Sequence, residues 1–219
     1  MGKAPASLSS SPDLPFKYVG GDPSLDLVNT VDWTSRGPEN DRLTDYARLT
    51  RWAEGAGIVS RREGERLRRE AAARPREAQA AYDAALWLRH VLQRLVASLA
   101  AGEKPGSSLD ELNDLLAGAL KRLRIVPAPK AKTGQSPVEW EWEGRQDDLE
   151  SLLWPVLRSA ADLLTSAEAR RVRVCPSLDC GWTYVDRSRN GMRRWCQMEV
   201  CGTLEKTRRR AERRQRESG

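Results

Sequence analysis

The sequence predicts an α+β fold: a mostly helical N-terminal domain with a small β-hairpin or sheet, joined to a compact four-cysteine module that ends in a basic helix. Three observations lead there. Between residues 44 and 123, apolar side chains recur at the i, i+3, i+4, i+7 spacing of amphipathic helices. The run Val138-Glu-Trp-Glu-Trp-Glu143 instead alternates with the period of two that marks a strand. All four cysteines, Cys175, Cys180, Cys196 and Cys201, fall in the final segment, and so does the excess positive charge. Residues 171–219 hold thirteen Lys/Arg and six Asp/Glu, a net +7, which leaves 24 basic and 25 acidic residues, a net −1, in residues 1–170.

Each element has a local reason. Residues 1–13 are rich in Ser, Pro and Ala and read as a flexible N-terminal arm. Residues 14–19 read as a short strand stopped by Gly20-Gly21, whereas the apolar run in 24–30 is too short to separate helix from strand. Leu49, Trp52, Ala53 and Ala56 then share one helical stripe, with Thr44 as N-cap and Gly57 as stop. Ser60-Arg-Arg-Glu63 is a capping box for a helix that must end before Pro75. The strongest helix spans about 76 to 101, through Tyr82, Ala85, Leu88, Leu92, Leu95, Val96 and Leu99, and Gly102 ends it. Ser108-Leu-Asp-Glu111 caps a further helix carrying Leu109, Leu112, Leu115, Leu116, Leu120 and Leu123. Residues 124–129 and 138–143 flank a Gly/Ser/Pro/Lys turn as a hairpin with Val138, Trp140 and Trp142 on one face. Helical spacing returns over 147–164, with a restart at Pro155. The domains are therefore expected at 14–168 and 169–219.

The cysteines form two Cys-x4-Cys pairs, Cys175-Pro-Ser-Leu-Asp-Cys180 and Cys196-Gln-Met-Glu-Val-Cys201. Closed zinc sites take four N/S ligands as two close pairs, because each pair clamps one edge of a tetrahedron. Two disulfides or four buried thiols are the alternatives, but disulfides belong to exported domains, and the chain opens without an apolar signal segment. One structural Zn²⁺ is expected. Residues 171–174 and 181–186 should form the opposed strands of a zinc ribbon, with a turn at Ser188-Arg-Asn-Gly191. After Cys201-Gly202 no breaker interrupts the chain, so a helix capped by Thr203 is expected, docking by Leu204, Thr207 and Ala211. Trp182 and Trp195 read as filling for a small module, not as base-stacking platforms. With zinc and four thiolates the module stays near +5, an electrostatic footprint for a polyanion. The expected duplex contacts are Arg187, Arg189, Asn190, Arg193 and Arg194 at the turn and Lys206, Arg208, Arg209, Arg210 and Arg213 on the helix.

At these residues, and above all in Cys180-Gly-Trp-Thr-Tyr-Val-Asp-Arg-Ser-Arg-Asn-Gly-Met-Arg-Arg-Trp-Cys196-Gln-Met, the chain resembles the CGNR-type zinc-finger proteins. These are bacterial, predicted transcription regulators whose N-terminal α+β domain is called ABATE. Leu25-Asp-Leu-Val-Asn-Thr30, Trp52-Ala-Glu-Gly-Ala-Gly57 and Ser159-Ala-Ala-Asp-Leu-Leu164 extend the likeness to that domain. The tetrapeptide that names the family reads Cys201-Gly-Thr-Leu204 here, so its Asn and Arg are lost while the four ligands stay. The resemblance implies a finger that binds double-stranded DNA joined to a regulatory domain. A small-molecule effector held by Asn29, Thr30 and Arg89, and a homodimer, are its further partners, although Asn29 and Thr30 read equally as caps of a helix or turn.

No enzyme is expected. His90 is the single histidine, no nucleophile–base set can be assembled around it, and four cysteine ligands leave no open position on zinc. No apolar run approaches membrane-spanning length, which points to a cytoplasmic protein. A zinc-ribbon module that docks on an acidic protein, and an RNA-binding protein, are the alternative functions.

Overall fold

The computed structural model describes residues 14–34, 37–129, 136–178 and 180–217. The expected N-terminal arm and the tip of the predicted hairpin lie outside these residues. At the centre is α4 (Pro75–Ala100), whose buried face comprises Ala78, Ala81, Ala85, Leu88, Val91, Leu92, Leu95 and Val96. Around it pack α1 (Pro23–Val28), α2 (Tyr46–Gly55), α3 (Arg61–Ala73) and α5 (Ser107–Leu120). A 3₁₀ turn (Leu149–Leu152) leads into α6 (Trp154–Thr165) against α1 and α5, with Pro155 in the first helical turn, as its missing N–H allows. The main core joins Leu27, Val28, Leu49, Trp52, Leu67, Leu88, Leu95, Leu112, Leu152 and Val156. Each such side chain contributes about 1.5–3 kcal/mol by leaving water.

Local signals place most of these helices. Ser60 and Glu63 close the expected capping box at α3. The ambiguous run at 24–30 is helical because Asp22 accepts from the Ser24 N–H and Pro23 fixes the first turn. Three expectations are corrected. Residues 14–19 find no strand partner among the described residues and run irregularly, with the Tyr18 hydroxyl donating to Trp52 O. The cap of α2 is Asp45, whose carboxylate accepts from Arg48 N–H, in place of Thr44. Ser108 lies buried inside α5, which begins after Gly106 at φ +56° without a side-chain cap.

Three antiparallel pairs complete the fold: β1 (Val31–Thr34) with β2 (Gly37–Asp41), β3 (Leu123–Pro127) with β4 (Val138–Trp142), and β5 (Val172–Val174) with β6 (Thr183–Val185). In β3–β4, Trp142 packs on Trp154 with ring centroids 5.9 Å apart, but Trp140 and Ile125 are 54% and 63% exposed. The apolar face predicted for the hairpin is covered mainly at its base; at Trp140 the Arg158 guanidinium of α6 lies 4.8 Å from the ring centroid and leaves the ring about half exposed.

The C-terminal module docks closely on the helices. Leu25 of α1, Val96 of α4 and Leu163 of α6 share a core with Val172 and Val185 of β5 and β6. Gly181 is the tightest point: at φ +69°, a Cβ there would lie 1.8 Å from the Trp33 carbonyl oxygen. Gly181→Ala is expected to destabilise the chain by about 2–3 kcal/mol through backbone strain and overpacking, measured as a lowered denaturation midpoint.

Asp26 supports the same junction. Its carboxylate accepts from Gly20 N–H at 2.8 Å, and Gly20 O accepts from Val185 N–H at 2.8 Å. Burial, opposed by the Gly20 hydrogen bond, pushes the Asp26 carboxyl up to about 6. A carboxyl raised on folding favours the native state fully below its unfolded value near 3.8, and that contribution is lost as pH rises through about 6. Stability is therefore expected to fall by about 2–3 kcal/mol on this account between pH 4 and 7. Asp26→Asn keeps an acceptor for Gly20 and should flatten that dependence and stabilise the chain at pH 7, as melting curves across this range would register.

Candidate metal centre and nucleic-acid surface

The four cysteine sulfurs lie within 4.8 Å of one another, and all four residues are buried. Two knuckles bring them together. Cys175 follows β5, its N–H donating to Trp182 O at 2.8 Å, and Cys180 N–H closes the loop onto Ser177 O. Cys196 and Cys201 flank and join a π-helical turn, Met198–Gly202, in which Gly202 N–H donates to Gln197 O. A Cβ at Gly202 would lie 2.5 Å from the Met198 sulfur, so a larger residue there would require the Met198 side chain to shift.

The donor set fits zinc. Cys180 and Cys196 sulfurs are 3.4 Å apart and Cys196 and Cys201 sulfurs 3.6 Å. Those separations exceed a disulfide bond of about 2.0 Å and approach the ~3.8 Å edge of a tetrahedron with zinc–sulfur bonds near 2.3 Å. Hydrogen bonds from Cys180 and Cys196 hold the Cys175 thiol low, while that sharing pushes Cys180 and Cys196 up, and burial raises Cys201. By themselves the four thiols cannot all ionise; a dication at their centre lets them. Trp182 and Tyr184 are buried with the cysteines, and Val19 and Trp195 pack against them, so both tryptophans serve as filling, as expected.

The turn after β6 is built on Asp186. This buried carboxylate accepts from Ser188 N–H, Ser188 Oγ and Arg193 N–H, and Gly191 completes the turn at φ +62°. Arg189, Asn190 and Arg194 are exposed on it. Four of the expected DNA contacts, Arg187, Arg193, Arg208 and Arg213, also make polar contacts within the protein. Arg193 stacks 4.3 Å from the Tyr184 ring centroid and donates to Trp195 O, Cys196 O and Val19 O. Arg187 grips both oxygens of Glu168, at 2.7 and 2.8 Å, and donates to Gly21 O.

The last helix, α7 (Thr203–Glu217), continues directly from the π turn, so Thr203 already has helical dihedrals and is no N-cap. Nor does the strip at 204, 207 and 211 dock: Leu204 is 61% exposed and Glu205 is the buried residue, paired with Arg208 at 2.7 Å. Lys206, Arg209, Arg210 and Arg213 are exposed along the rest of the helix. Arg213 pairs with Glu217 one turn on, and Arg208 also approaches Glu212.

Asn29, Thr30 and Arg89 are buried and each is hydrogen-bonded within the protein. Asn29 bridges to the module, donating to Thr183 O and accepting from Thr183 N–H, both at 2.8 Å. Arg89 is buried in a two-pronged pair with Asp41, at 2.7 and 2.6 Å, and donates to the Thr30 hydroxyl. A junction that local patterns could not reveal is Trp182, whose indole N–H donates to Asp32, the carboxylate that also holds Arg42. Arg42 and Lys17 stand 5.2 and 5.7 Å from the Trp182 ring centroid.

Comparison with known proteins agrees with this architecture. Residues 21–167 match the family model ABATE, described as "Putative stress-induced transcription regulator". Residues 171–214 match the CGNR zinc finger. No curated protein matches the chain.

Proposed function

The chain belongs to the ABATE family and closes with a CGNR zinc finger, and from that premise we propose that it is a zinc-dependent regulator of transcription that binds double-stranded DNA. The observation that carries this reading is the exposed basic surface of α7, which leaves the zinc knuckle without a break and holds Lys206, Arg209, Arg210 and Arg213 in solvent. A helix of 15 residues is about 22 Å long and fits the ~12 Å major groove. Arg189, Asn190 and Arg194 on the Asp186 turn supply a second contact.

In this reading the role is non-catalytic and cytoplasmic, in a bacterial cell. The absence of any helix long and apolar enough to cross a membrane, among the described residues, accords with it. The N-terminal domain senses an effector or directs assembly, and a signal there would reach the finger through the Asn29–Thr183, Gly20–Val185 and Asp32–Trp182 contacts.

The test is competition between duplex DNA and single-stranded RNA for the zinc-loaded chain, before and after chelation. Preference for the duplex, lost with zinc, is expected. Preference for RNA, or recovery of a single protein partner after nuclease treatment, would overturn the reading.

A further inference from the structure

We propose that Met192 is a wedge that enters the minor groove of duplex DNA and kinks it. The inference rests on the DNA-binding reading above and adds a deformation that the helix alone would not produce. Met192 is 75% exposed, a greater fraction than any other large apolar residue among those described. It follows Asn190-Gly191 at the tip of the turn that Asp186 organises, and its own N–H donates to the Ser188 hydroxyl at 3.1 Å. A long thioether chain is thus presented to water from a backbone whose Ser188, Gly191, Met192 and Arg193 N–H groups are all hydrogen-bonded.

Its neighbours identify the partner. Arg189, Asn190 and Arg194 are exposed around it, and Arg194 lies 5.6 Å from the Trp195 ring centroid. Met192 stands at the edge of an apolar wall that includes Tyr18, Trp195 and Met198, and the exposed charges on its own turn, Arg189 and Arg194, are both basic, which suits a polyanion. That combination is what minor-groove readers use: Arg and Asn follow the groove edges while an inserted Met, Leu or Phe separates two base pairs. Met192 also borders an open groove of about 750 Å³, walled by Tyr18, Trp195 and Met198, so the protein leaves room around it. Glu199 is the acidic residue on that wall, against the two basic residues Arg193 and Arg194.

Insertion costs least at pyrimidine–purine steps, which unstack easily. The zinc-loaded full chain should therefore bind a duplex containing a TA or CA step about tenfold more tightly than a duplex lacking one.

The experiment uses a short duplex carrying a fluorescent donor and acceptor at its ends, titrated with zinc-loaded protein at several salt concentrations. The native chain is expected to raise energy transfer on binding. Met192→Ala should bind with the same salt dependence but without that rise, and should favour the flexible step by no more than about twofold. Met192→Leu should restore both properties. Bending by Met192→Ala equal to that of the native chain, or binding of the native chain without bending, would overturn the wedge and leave the DNA-binding reading intact. Absence of any duplex binding by the native chain would overturn both.

Discussion

Removing zinc is expected to unfold the C-terminal module while the N-terminal helices stay folded. The core around the metal consists of the four cysteines, Trp182 and Tyr184, with Val19 and Trp195 packed against it, while Val172 and Val185 of the module join Leu25, Val96 and Leu163 in a separate small cluster. Without the cation those buried sulfurs cannot all be thiolates, and little apolar area remains to offset the entropy of ordering the two knuckles. Structural zinc supplies about 10–16 kcal/mol in finger peptides, comparable with the whole stability of a typical domain at about 5–15 kcal/mol. Chelation, or Cys196→Ser, should therefore expose the Cys175 amide, which donates to Trp182 O, to rapid hydrogen exchange. Amides of α4 should remain protected, since its buried face lies mainly in the separate N-terminal core. Persistent protection of β5 and β6 after complete zinc removal would show that docking onto α1, α4 and α6 suffices to fold the module.

The second large effect is expected on α7. Lys206→Glu, Arg209→Glu and Arg210→Glu change exposed residues that have no acidic partner among the described residues, so the helix and the zinc site should be unaltered. Each position is assigned a phosphate contact, and a charge-assisted hydrogen bond is worth about 1.5–3 kcal/mol. Together the three changes should weaken duplex binding by about 10³-fold or more, as three such contacts at the lower figure imply, and should lower the salt slope by about 3. Equal changes at Arg193 would be uninformative about DNA, because that side chain braces Tyr184 and the second knuckle.

What was legible in the sequence was what is local. The two cysteine pairs, the capping box at Ser60, the long stripe of α4 and the alternation at 138–142 each occupy a few neighbouring residues and each found its expected element. The function of Asn29 was not legible, because its partner Thr183 is 154 residues away and an Asn after an apolar run reads equally as a cap or a ligand. Arg187 and Arg193 counted as basic surface in the sequence, but folding brings Glu168 and a set of carbonyls to them. At α7 the apolar strip misled, since the π turn before Thr203 rotates the helix so that Glu205, and not Leu204, faces inward. Exposure of Trp140 was hidden too: alternation sets which side chains share a face and says nothing of what covers it.

The central claim is that a zinc-held module presents α7 to a polyanion, and the most direct test is the salt dependence of duplex binding by the zinc-loaded chain. If six to ten phosphates are neutralised, affinity should fall by about 10³ to 10⁵ between 50 and 200 mM salt, and chelation should abolish binding altogether. Binding that ignores salt, or that survives complete removal of zinc, would contradict the account.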